Sequence, residues 1–308
     1  MVLNRILKGH FRLMLHIMTM HLILLGEWLL NRKNVFLCGG DLRSIYMARY
    51  FAGKDCRVYT YGHGDTDNSG LDMVKNADVV VLGLPAVKDG VVNMPLCDTV
   101  LEFEELLDMC SEGAFVAGGR FTAQDADCAK KHSVTLADYS KDEIFQIENA
   151  FYTAEGAICA LIENTSRSLC GMRILITGYG RISKAICSLL SSAPCRITVY
   201  ARSAEQRAWC EAQGIITLNT LEDLREYDAL INTVPADILP GRGLSTLCKE
   251  AIIIDLSARP GYVDKQACSN LGLNLIYLPG LPLTSAPCSA GETAARAIER
   301  MYFFTEGN

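Results

Sequence analysis

The sequence predicts an α/β protein made of two Rossmann-like domains with parallel sheets, joined by a long helix. Short apolar runs bounded by Gly, Pro, Asn or Asp alternate with segments of helical periodicity, which is typical of βαβ units. This pattern occurs once in each half of the 308-residue chain, a length that suits roughly two domains of about 150 residues. We expect a cleft between the two domains, where a cofactor and a substrate can meet.

Each half supplies its own series of predicted elements. In the first half the strands are 34–38, 57–61, 78–83, 114–117 and 133–136, with helices near 42–52, 99–110 and 122–131. In the second half the strands are 172–177, 196–201, 215–218, 229–233, 251–256 and 274–278, with helices near 181–191, 204–213, 244–249 and 263–270.

The segment between the two series predicts the joining helix. Residues 141–168 contain no proline and one glycine, and their apolar residues keep a helical stripe. The predicted organisation is therefore an N-terminal extension (1–33), a Rossmann-like substrate domain (34–140), a connecting helix (141–168), a second Rossmann domain (169–286) and a C-terminal helix that packs back on the first domain (287–308).

Composition excludes several classes of function. The chain is 50% apolar and 21% charged, which is ordinary for a globular protein, and its net charge of −6 offers no attraction to nucleic acid. The 13 cysteines have no disulfide or metal-ligand spacing, so we expect no metal and a reducing, cytoplasmic location.

The first thirty residues contain an apolar stretch that needs its own interpretation. Three basic residues precede residues 13–30, which is suggestive of a signal peptide or an anchor. However, His16, His21 and Glu27 interrupt the stretch, Gly26 weakens it as a helix, and no small-residue cleavage site follows. We therefore predict no membrane role.

The strongest motif is MRILITGYGRIS at residues 172–183, an apolar strand followed by a glycine turn and a helix. Gly178 permits the tight turn, and Gly180 lets the backbone approach a pyrophosphate at the helix N-terminus. Ser183 stands where a third glycine is usual, which weakens the motif without removing it. The predicted cofactor contacts here are Gly178, Tyr179, Gly180, Arg181 and Ile182.

The next strand indicates which nucleotide is preferred. It ends at Arg202, 24 positions after Gly178, where an NAD site carries an acid for the ribose hydroxyl. A guanidinium followed by Ser203 suits a 2′-phosphate instead. We predict NADP as the cofactor, with NAD as the alternative.

Two later strands and a proline-rich run complete the predicted cofactor site. The strands end in INTVP (231–235) and IIDLSARPG (253–261), so their polar ends fall on the ligand side of the sheet. The PGLP run (279–282) is expected to form a rigid loop nearby. The predicted contacts are Thr233, Val234, Pro235, Asp255, Ser257, Leu281 and Pro282.

Several segments together resemble one family, the A subunit of bacterial dipicolinate synthase, over residues 34–303. The resemblance is carried by GGDLR (39–43), DYSKDEIFQIENAFYTAEGAI (138–158), GYGRISKA (178–185), NTVPADIL (232–239), DLSARPGYVD (255–264) and PGLPLTSAPCSAG (279–291). The sequence departs from the family pattern at Tyr262, Leu283 and Cys288, which concerns the substrate loops more than the cofactor turn.

The resemblance implies a function. It implies NADP-dependent oxidation of dihydrodipicolinate, a small dicarboxylate, to dipicolinate in the mother cell of a sporulating bacterium. It also implies a partner, the flavoprotein-like B subunit. We further expect a homo-oligomer.

The predicted reaction needs cations for two carboxylates and a base. Arg43, Arg120 and Arg259 are the candidate carboxylate partners, because a planar guanidinium matches a carboxylate. Glu155, in the TAEGA stretch, is the candidate base. Arg43 is predicted as a catalytic residue as well as a carboxylate partner. Thr153, beside Glu155, is predicted to contact the substrate. The alternatives are an ion pair of Arg43 with Asp41, and for Glu155 a salt bridge on the helix surface or between the domains.

Two other functions remain open from the sequence. One is an amino-acid dehydrogenase of the alanine or saccharopine type, and the other is a nucleotide-binding subunit that does no chemistry itself. The chain has no histidine after His132, which disfavours the histidine-based 2-hydroxy-acid dehydrogenase reaction.

Overall fold

The computed structural model describes residues 32–258 and 261–306. These residues divide into two compact units, one formed by 32–145 and 291–306 and the other by 146–290. The stretch 1–30, for which we predict no membrane role, lies outside the described residues. The same is true of Arg259.

The first unit is built on a parallel sheet of five strands in the order β2-β1-β3-β6-β7. The strands are β1 (Asn34–Cys38), β2 (Arg57–Tyr61), β3 (Val79–Leu82), β6 (Phe115–Gly118) and β7 (Thr135–Asp138). A small antiparallel hairpin, β4 (Val87–Lys88) and β5 (Val91–Val92), follows β3. Because the order reverses between β1 and β3, the sheet is doubly wound.

Helices cover both faces of this sheet. They are α1 (Leu42–Ala52), α2 (Phe103–Asp108) and α3 (Ala123–Lys131). Alternate residues of one strand point to opposite faces: Val35 packs in the core with Phe51 of α1, whereas Phe36 packs with Leu106 of α2. Three short 3-10 helices, Gly64–Thr66, Leu71–Asn76 and Tyr139–Lys141, lie in the loops.

A long helix, α4 (Glu143–Glu163), continues from the first unit into the second. The division between the units falls within its first turn, after Phe145. Ala154, Ala157 and Leu161 are fully buried in the core of the second unit, so most of the helix belongs to that unit's packing.

The second unit is a parallel sheet of six strands in the order β10-β9-β8-β11-β12-β13. The strands are β8 (Arg173–Thr177), β9 (Arg196–Tyr200), β10 (Ile216–Leu218), β11 (Ala229–Asn232), β12 (Ile252–Asp255) and β13 (Asn274–Tyr277). Its helices are α5 (Arg181–Leu189), α6 (Ala204–Ala212), α7 (Gly241–Leu244), α8 (Lys265–Leu271) and α9 (Pro282–Ser285). Alternating β8 residues again divide between two cores, Ile174 with α4 and Leu175 with Leu244 of α7.

The last helix, α10 (Pro287–Glu306), returns to the first unit. Its residues Ala295, Ile298 and Tyr302 are buried in the core that holds Val35 and Phe51. The predicted class, α/β with two parallel sheets of the Rossmann type, is therefore confirmed.

Three local predictions were wrong, and one element was missed. The helix expected near 99–110 is reduced to α2, and the helix expected near 244–249 lies instead at α7. The PGLP run is not all loop, because Pro282 occupies the first turn of α9, where a proline fits. The β4–β5 hairpin was not predicted, since strands of two residues leave no readable alternation.

Candidate nucleotide-binding site

The glycine turn after β8 requires glycine at its first position. Gly178 has a φ of +82°, and its amide donates to the carbonyl oxygen of Tyr200 at 2.7 Å. A Cβ at this position would lie 2.7 Å from Cγ2 of Val234 and 3.2 Å from Oγ1 of Thr233. The turn therefore lies tightly between the ends of β9 and β11. A residue with a side chain would clash with Val234 and would have to adopt an unfavourable positive φ.

The second glycine faces open space. Gly180 is the N-cap of α5 and provides no side-chain cap, and a Cβ there would have no neighbour within 4 Å. The amides of the first turn of α5 therefore have no side-chain acceptor from the N-cap residue. Ser183, at the third glycine position, is fully buried. An uncapped helix start beside an open backbone fits the pyrophosphate of a dinucleotide.

Two arginines lie where β9 ends. Arg202 is exposed, and Ser203 is the N-cap of α6, its hydroxyl accepting from the amide of Gln206 at 3.4 Å. Arg207 is half-buried, and its Nη1 donates to the carbonyl oxygens of Ala201 at 2.7 Å and of Arg202 at 2.8 Å. Sequence reasoning missed Arg207, although its position four residues after a helix N-cap places it over that cap.

A chain of buried hydrogen bonds joins the ends of three neighbouring strands. Thr177 of β8, Asn232 of β11 and Asp255 of β12 are register partners. The Thr177 hydroxyl donates to Oδ1 of Asn232 at 2.6 Å, and Nδ2 of Asn232 donates to Oδ1 of Asp255 at 2.9 Å. Sequence reasoning did not select Asn232, but the INTVP motif contains it.

Asp255 shapes the loop that follows β12. Its Oδ1 accepts from the amide of Ser257 at 3.0 Å and from the Ser257 hydroxyl at 2.6 Å, and its Oδ2 accepts from the amides of Tyr262 at 2.9 Å and Val263 at 3.1 Å. Burial alone would raise the pKa of Asp255, but the hydrogen bonds from Ser257 and Asn232 outweigh it and lower that pKa. The carboxylate is thus ionised and ties Ser257 to Tyr262 and Val263.

The TVP turn after β11 contacts the glycine turn directly. The Thr233 hydroxyl donates to the carbonyl oxygen of Thr177 at 2.7 Å, and Val234 limits the space beside Gly178. Pro235, the next residue, is exposed. The structure thus brings Gly178, Thr233, Val234, Asp255 and Ser257 together at the carboxyl edge of the sheet.

The comparisons with known proteins bear on each unit separately. Residues 34–140 match the family described as the N-terminal domain of the dipicolinate synthase A subunit. Residues 147–271 match the NAD-binding domain of D-isomer specific 2-hydroxyacid dehydrogenases. The dipicolinate synthase A subunit of Bacillus subtilis (strain 168) is 26% identical to this chain over 290 residues, which is 89% of this chain and 97% of the relative. The resemblance to the A-subunit family of dipicolinate synthase is confirmed.

Solved structures share the fold. The dipicolinate synthase A subunit of Bacillus halodurans has a TM-score of 0.79 at 24% identity, over 88% of this chain and 98% of that one. A transhydrogenase from Sinorhizobium meliloti has a TM-score of 0.62 at 11% identity, over 88% of this chain and 94% of that one. Together with the family matches, the glycine turn identifies an NAD(P)-binding oxidoreductase of the dehydrogenase type.

Three predicted cofactor residues differ in what their side chains can reach. Tyr179 is buried in the core of the second unit, and its hydroxyl donates to Gln213 at 3.1 Å, so this side chain turns away from the open space at Gly180. Arg181 is exposed at the first position of α5, whereas Ile182 packs partly against the core. Only the backbone of Tyr179 is therefore available to a nucleotide.

The PGLP run also faces inward. Leu281 and Pro282 are buried, and Leu281 lies against Gly156 of α4. The Ser285 hydroxyl donates to the carbonyl oxygens of Leu281 at 2.9 Å and Tyr152 at 3.1 Å. These contacts fix the end of the run to α4. The Leu281 side chain is directed towards that helix, and its predicted contact with a nucleotide stays a prediction.

Arg43, in the first turn of α1, and Arg120, in the loop after β6, lie at the carboxyl edge of the first sheet, but in different states. The Arg43 guanidinium donates to both carboxylate oxygens of Asp41, at 2.9 and 2.6 Å, and to the carbonyl oxygen of Leu84 at 2.8 Å. Arg120 is exposed with a φ of +61°, and its backbone amide donates to Asp138 at 3.0 Å. The ion pair considered from the sequence for Arg43 is thus formed, while the Arg120 side chain is open to solvent.

Glu155 and Thr153 are not placed at the glycine turn. Glu155 is exposed in a groove of the second unit that is bounded by Leu189 and Leu190, at the far end of α5 from Gly180. Thr153 is buried, and its hydroxyl donates to the carbonyl oxygen of Asn149 at 2.9 Å, within the same helix. Helix packing thus turns Thr153 inward and Glu155 to the surface, and their predicted substrate and catalytic roles stay predictions.

The part of the chain with described coordinates contains no helix that is long and apolar enough to cross a membrane.

Proposed function

We propose that this chain is the A subunit of a dipicolinate synthase and itself carries the NADP-dependent oxidation of dihydrodipicolinate to dipicolinate, with a flavoprotein-like B subunit as its partner. The observation that supports it most is the glycine turn with the open start of α5, in a chain whose first unit matches the N-terminal domain family of the A subunit. The proposal includes a cytoplasmic location and a role in sporulation, which the resemblance to this family implies.

The proposed reaction removes two hydrogens from a ring. One leaves with its electron pair as a hydride, for which the nicotinamide would supply the acceptor when bound, and one leaves as a proton, which needs a base. The aromatic pyridine product supplies the driving force. The residues of this chain contribute by holding the nucleotide at the carboxyl edge of the second sheet and by binding the two carboxylates of the substrate.

The exposed Arg120 is the better-placed carboxylate partner of the two described arginines. Its guanidinium makes no hydrogen bond within residues 32–258 and 261–306. The Arg43 guanidinium, in contrast, already donates two hydrogen bonds to the Asp41 carboxylate. A planar guanidinium can bind a carboxylate through two parallel hydrogen bonds. We therefore propose Arg120 as the main anchor in this domain, with Arg43 shaping the loop beside it.

NADP is the nucleotide that the site favours in this proposal. Arg202 is exposed at the end of β9, where folds of this type contact the ribose 2′ position of the nucleotide. Arg207 donates a hydrogen bond to the carbonyl oxygen of Arg202. Two guanidinium groups beside a helix start suit a phosphate better than a hydroxyl.

A second candidate is a nucleotide-binding subunit whose chemistry needs its partner. The exposure of Glu155 supports this candidate, because the predicted base then lies at the surface of the chain rather than in a buried site. In this case the B subunit would supply the group that takes the proton.

Reconstitution separates the two candidates. The purified chain is mixed with dihydrodipicolinate and NADP, with and without the B subunit, and dipicolinate and NADPH are measured together. NADPH formed in equal amounts with dipicolinate by the chain alone supports the first candidate, and formation only with the B subunit supports the second. No NADPH under either condition would contradict the proposed function. Glu155→Gln is included and is expected to keep wild-type turnover.

A further inference from the structure

Asp255 carries a negative charge that the described residues leave without an ion pair. The side chain is 1% exposed, and it accepts hydrogen bonds from five groups, all of them neutral: Nδ2 of Asn232, the amide and hydroxyl of Ser257, and the amides of Tyr262 and Val263. Five donors explain why the pKa of this carboxyl lies below its ordinary value even though burial opposes ionisation. Hydrogen bonds from neutral groups stabilise the charge but do not cancel it.

The register of the sheet locates this charge relative to the cofactor turn. Asp255 is level with Asn232 and Thr177, and Thr177 directly precedes Gly178. In a doubly wound fold the adenosine half of a dinucleotide lies on the side of the strand that follows the glycine helix, which here is β9. The nicotinamide half therefore extends the opposite way, over the ends of β11 and β12, where Asp255 lies.

The two redox forms of the cofactor differ in charge at this half. The oxidised nicotinamide ring carries a formal positive charge, and the reduced ring carries none. A buried negative charge in a medium of low dielectric constant attracts the first and is indifferent to the second. We propose that Asp255 makes the site prefer the oxidised nucleotide over the reduced one, in addition to fixing the backbone of Ser257, Tyr262 and Val263.

The preference suits the direction of the proposed reaction, on which this inference rests. An enzyme that oxidises its substrate must bind the oxidised nucleotide and release the reduced one. Asp255 would favour both steps without contacting the substrate. Asp255 would thus determine which redox state of the cofactor binds more tightly.

The same unit offers a matched control. Asp228, just before β11, is also a shielded carboxylate that accepts from a backbone amide, that of Arg173 at 2.9 Å, but it lies at the opposite edge of the sheet. Asp228→Asn removes the same charge from the same unit, far from the glycine turn. Any effect that comes from net charge or stability alone should appear in both variants.

The test compares the dissociation constants of NADP and NADPH by calorimetry in wild type, Asp255→Asn and Asp228→Asn, with thermal unfolding as the folding control. We expect wild type to bind NADP more tightly, and Asp255→Asn to lose about threefold to tenfold of that preference. Asp228→Asn should keep the wild-type ratio.

Ser257→Ala is measured as well, in case Asp255→Asn does not fold. It keeps the charge and removes one donor, so the preference for NADP should rise. An equal loss of affinity for both forms in Asp255→Asn, or an unchanged or lower ratio in Ser257→Ala, would overturn the inference while leaving the proposed function intact. Failure of wild type to bind either nucleotide would overturn both.

Discussion

Arg207 holds the backbone of Arg202, with its Nη1 2.8 Å from the Arg202 carbonyl oxygen. The same nitrogen lies 2.7 Å from the carbonyl oxygen of Ala201, so one side chain fixes the whole turn between β9 and α6. The exposed Arg202 guanidinium therefore projects from a rigid support. Substituting Arg202 and substituting Arg207 should therefore have different effects on nucleotide binding.

We expect Arg202→Ala to weaken NADP binding by about ten- to a hundredfold, because a charge-assisted hydrogen bond contributes about 1.5–3 kcal/mol. NAD binding should change little, since NAD has no 2′-phosphate. Arg207→Ala should weaken both nucleotides, and Arg207→Lys should restore part of the loss for NADP. Calorimetric titration measures all of these. The matched control is Arg196→Ala, an exposed arginine at the opposite end of β9; unchanged NADP affinity in Arg202→Ala would refute the assignment.

The two glycines of the turn should respond differently to alanine. Gly178→Ala introduces a methyl group 2.7 Å from Val234 at a φ of +82°, which we expect to destabilise the protein by about 1–3 kcal/mol. Gly180→Ala meets open space and should change stability by less than about 0.5 kcal/mol, yet lower nucleotide affinity at least about tenfold by filling the pyrophosphate site. Urea unfolding and NADP titration check both. Normal NADP binding by Gly180→Ala would argue against the site.

Substitutions of Arg43 and Arg120 should also differ in effect, the first lowering stability and the second weakening substrate binding. Arg43→Ala leaves the Asp41 carboxylate, 14% exposed, without its partner, and should cost about 1.5–3 kcal/mol of stability. Arg120→Ala should leave the melting temperature unchanged and raise the KM for dihydrodipicolinate, with NADP affinity as the control. If Arg120→Ala kept the wild-type KM, this arginine would not be the substrate anchor.

The Arg173–Asp228 pair predicts a pH dependence of stability. Burial would raise the pKa of Asp228, but hydrogen bonds from Arg173 lower it below the ordinary 3.8. A carboxyl with a lowered folded-state pKa contributes stability that is fully present above 3.8 and is lost as the pH falls further, through the folded-state value. Urea unfolding should therefore show the difference between wild type and Asp228→Asn shrinking below that pH. A difference that stays constant down to complete acid unfolding would contradict the prediction.

The sequence was most informative where local patterns decide the structure. The predicted bounds of β1, β2 and α1 match the structure, because apolar runs and the Asp41 N-cap specify them locally. The glycine turn was predicted for the same reason. Only the structure could show which way a side chain turns within a known helix.

The catalytic predictions depended on that missing information. Thr153 and Glu155 are two residues apart, so they point in different directions from α4, and tertiary packing buries one and exposes the other. The Asn232–Asp255 bridge could not be predicted, since it joins two strands whose distance is set by the fold. The ion pair of Arg43 was foreseen only as an alternative.

The central claim is that the second unit binds NADP in preference to NAD, and one titration tests it most directly. Wild-type protein is titrated with each nucleotide by calorimetry at one salt concentration, with Gly180→Ala as the negative control. The account predicts that NADP binds at least about tenfold more tightly than NAD and that the variant loses both. Tighter binding of NAD, or equal binding of either nucleotide by wild type and Gly180→Ala, would contradict it.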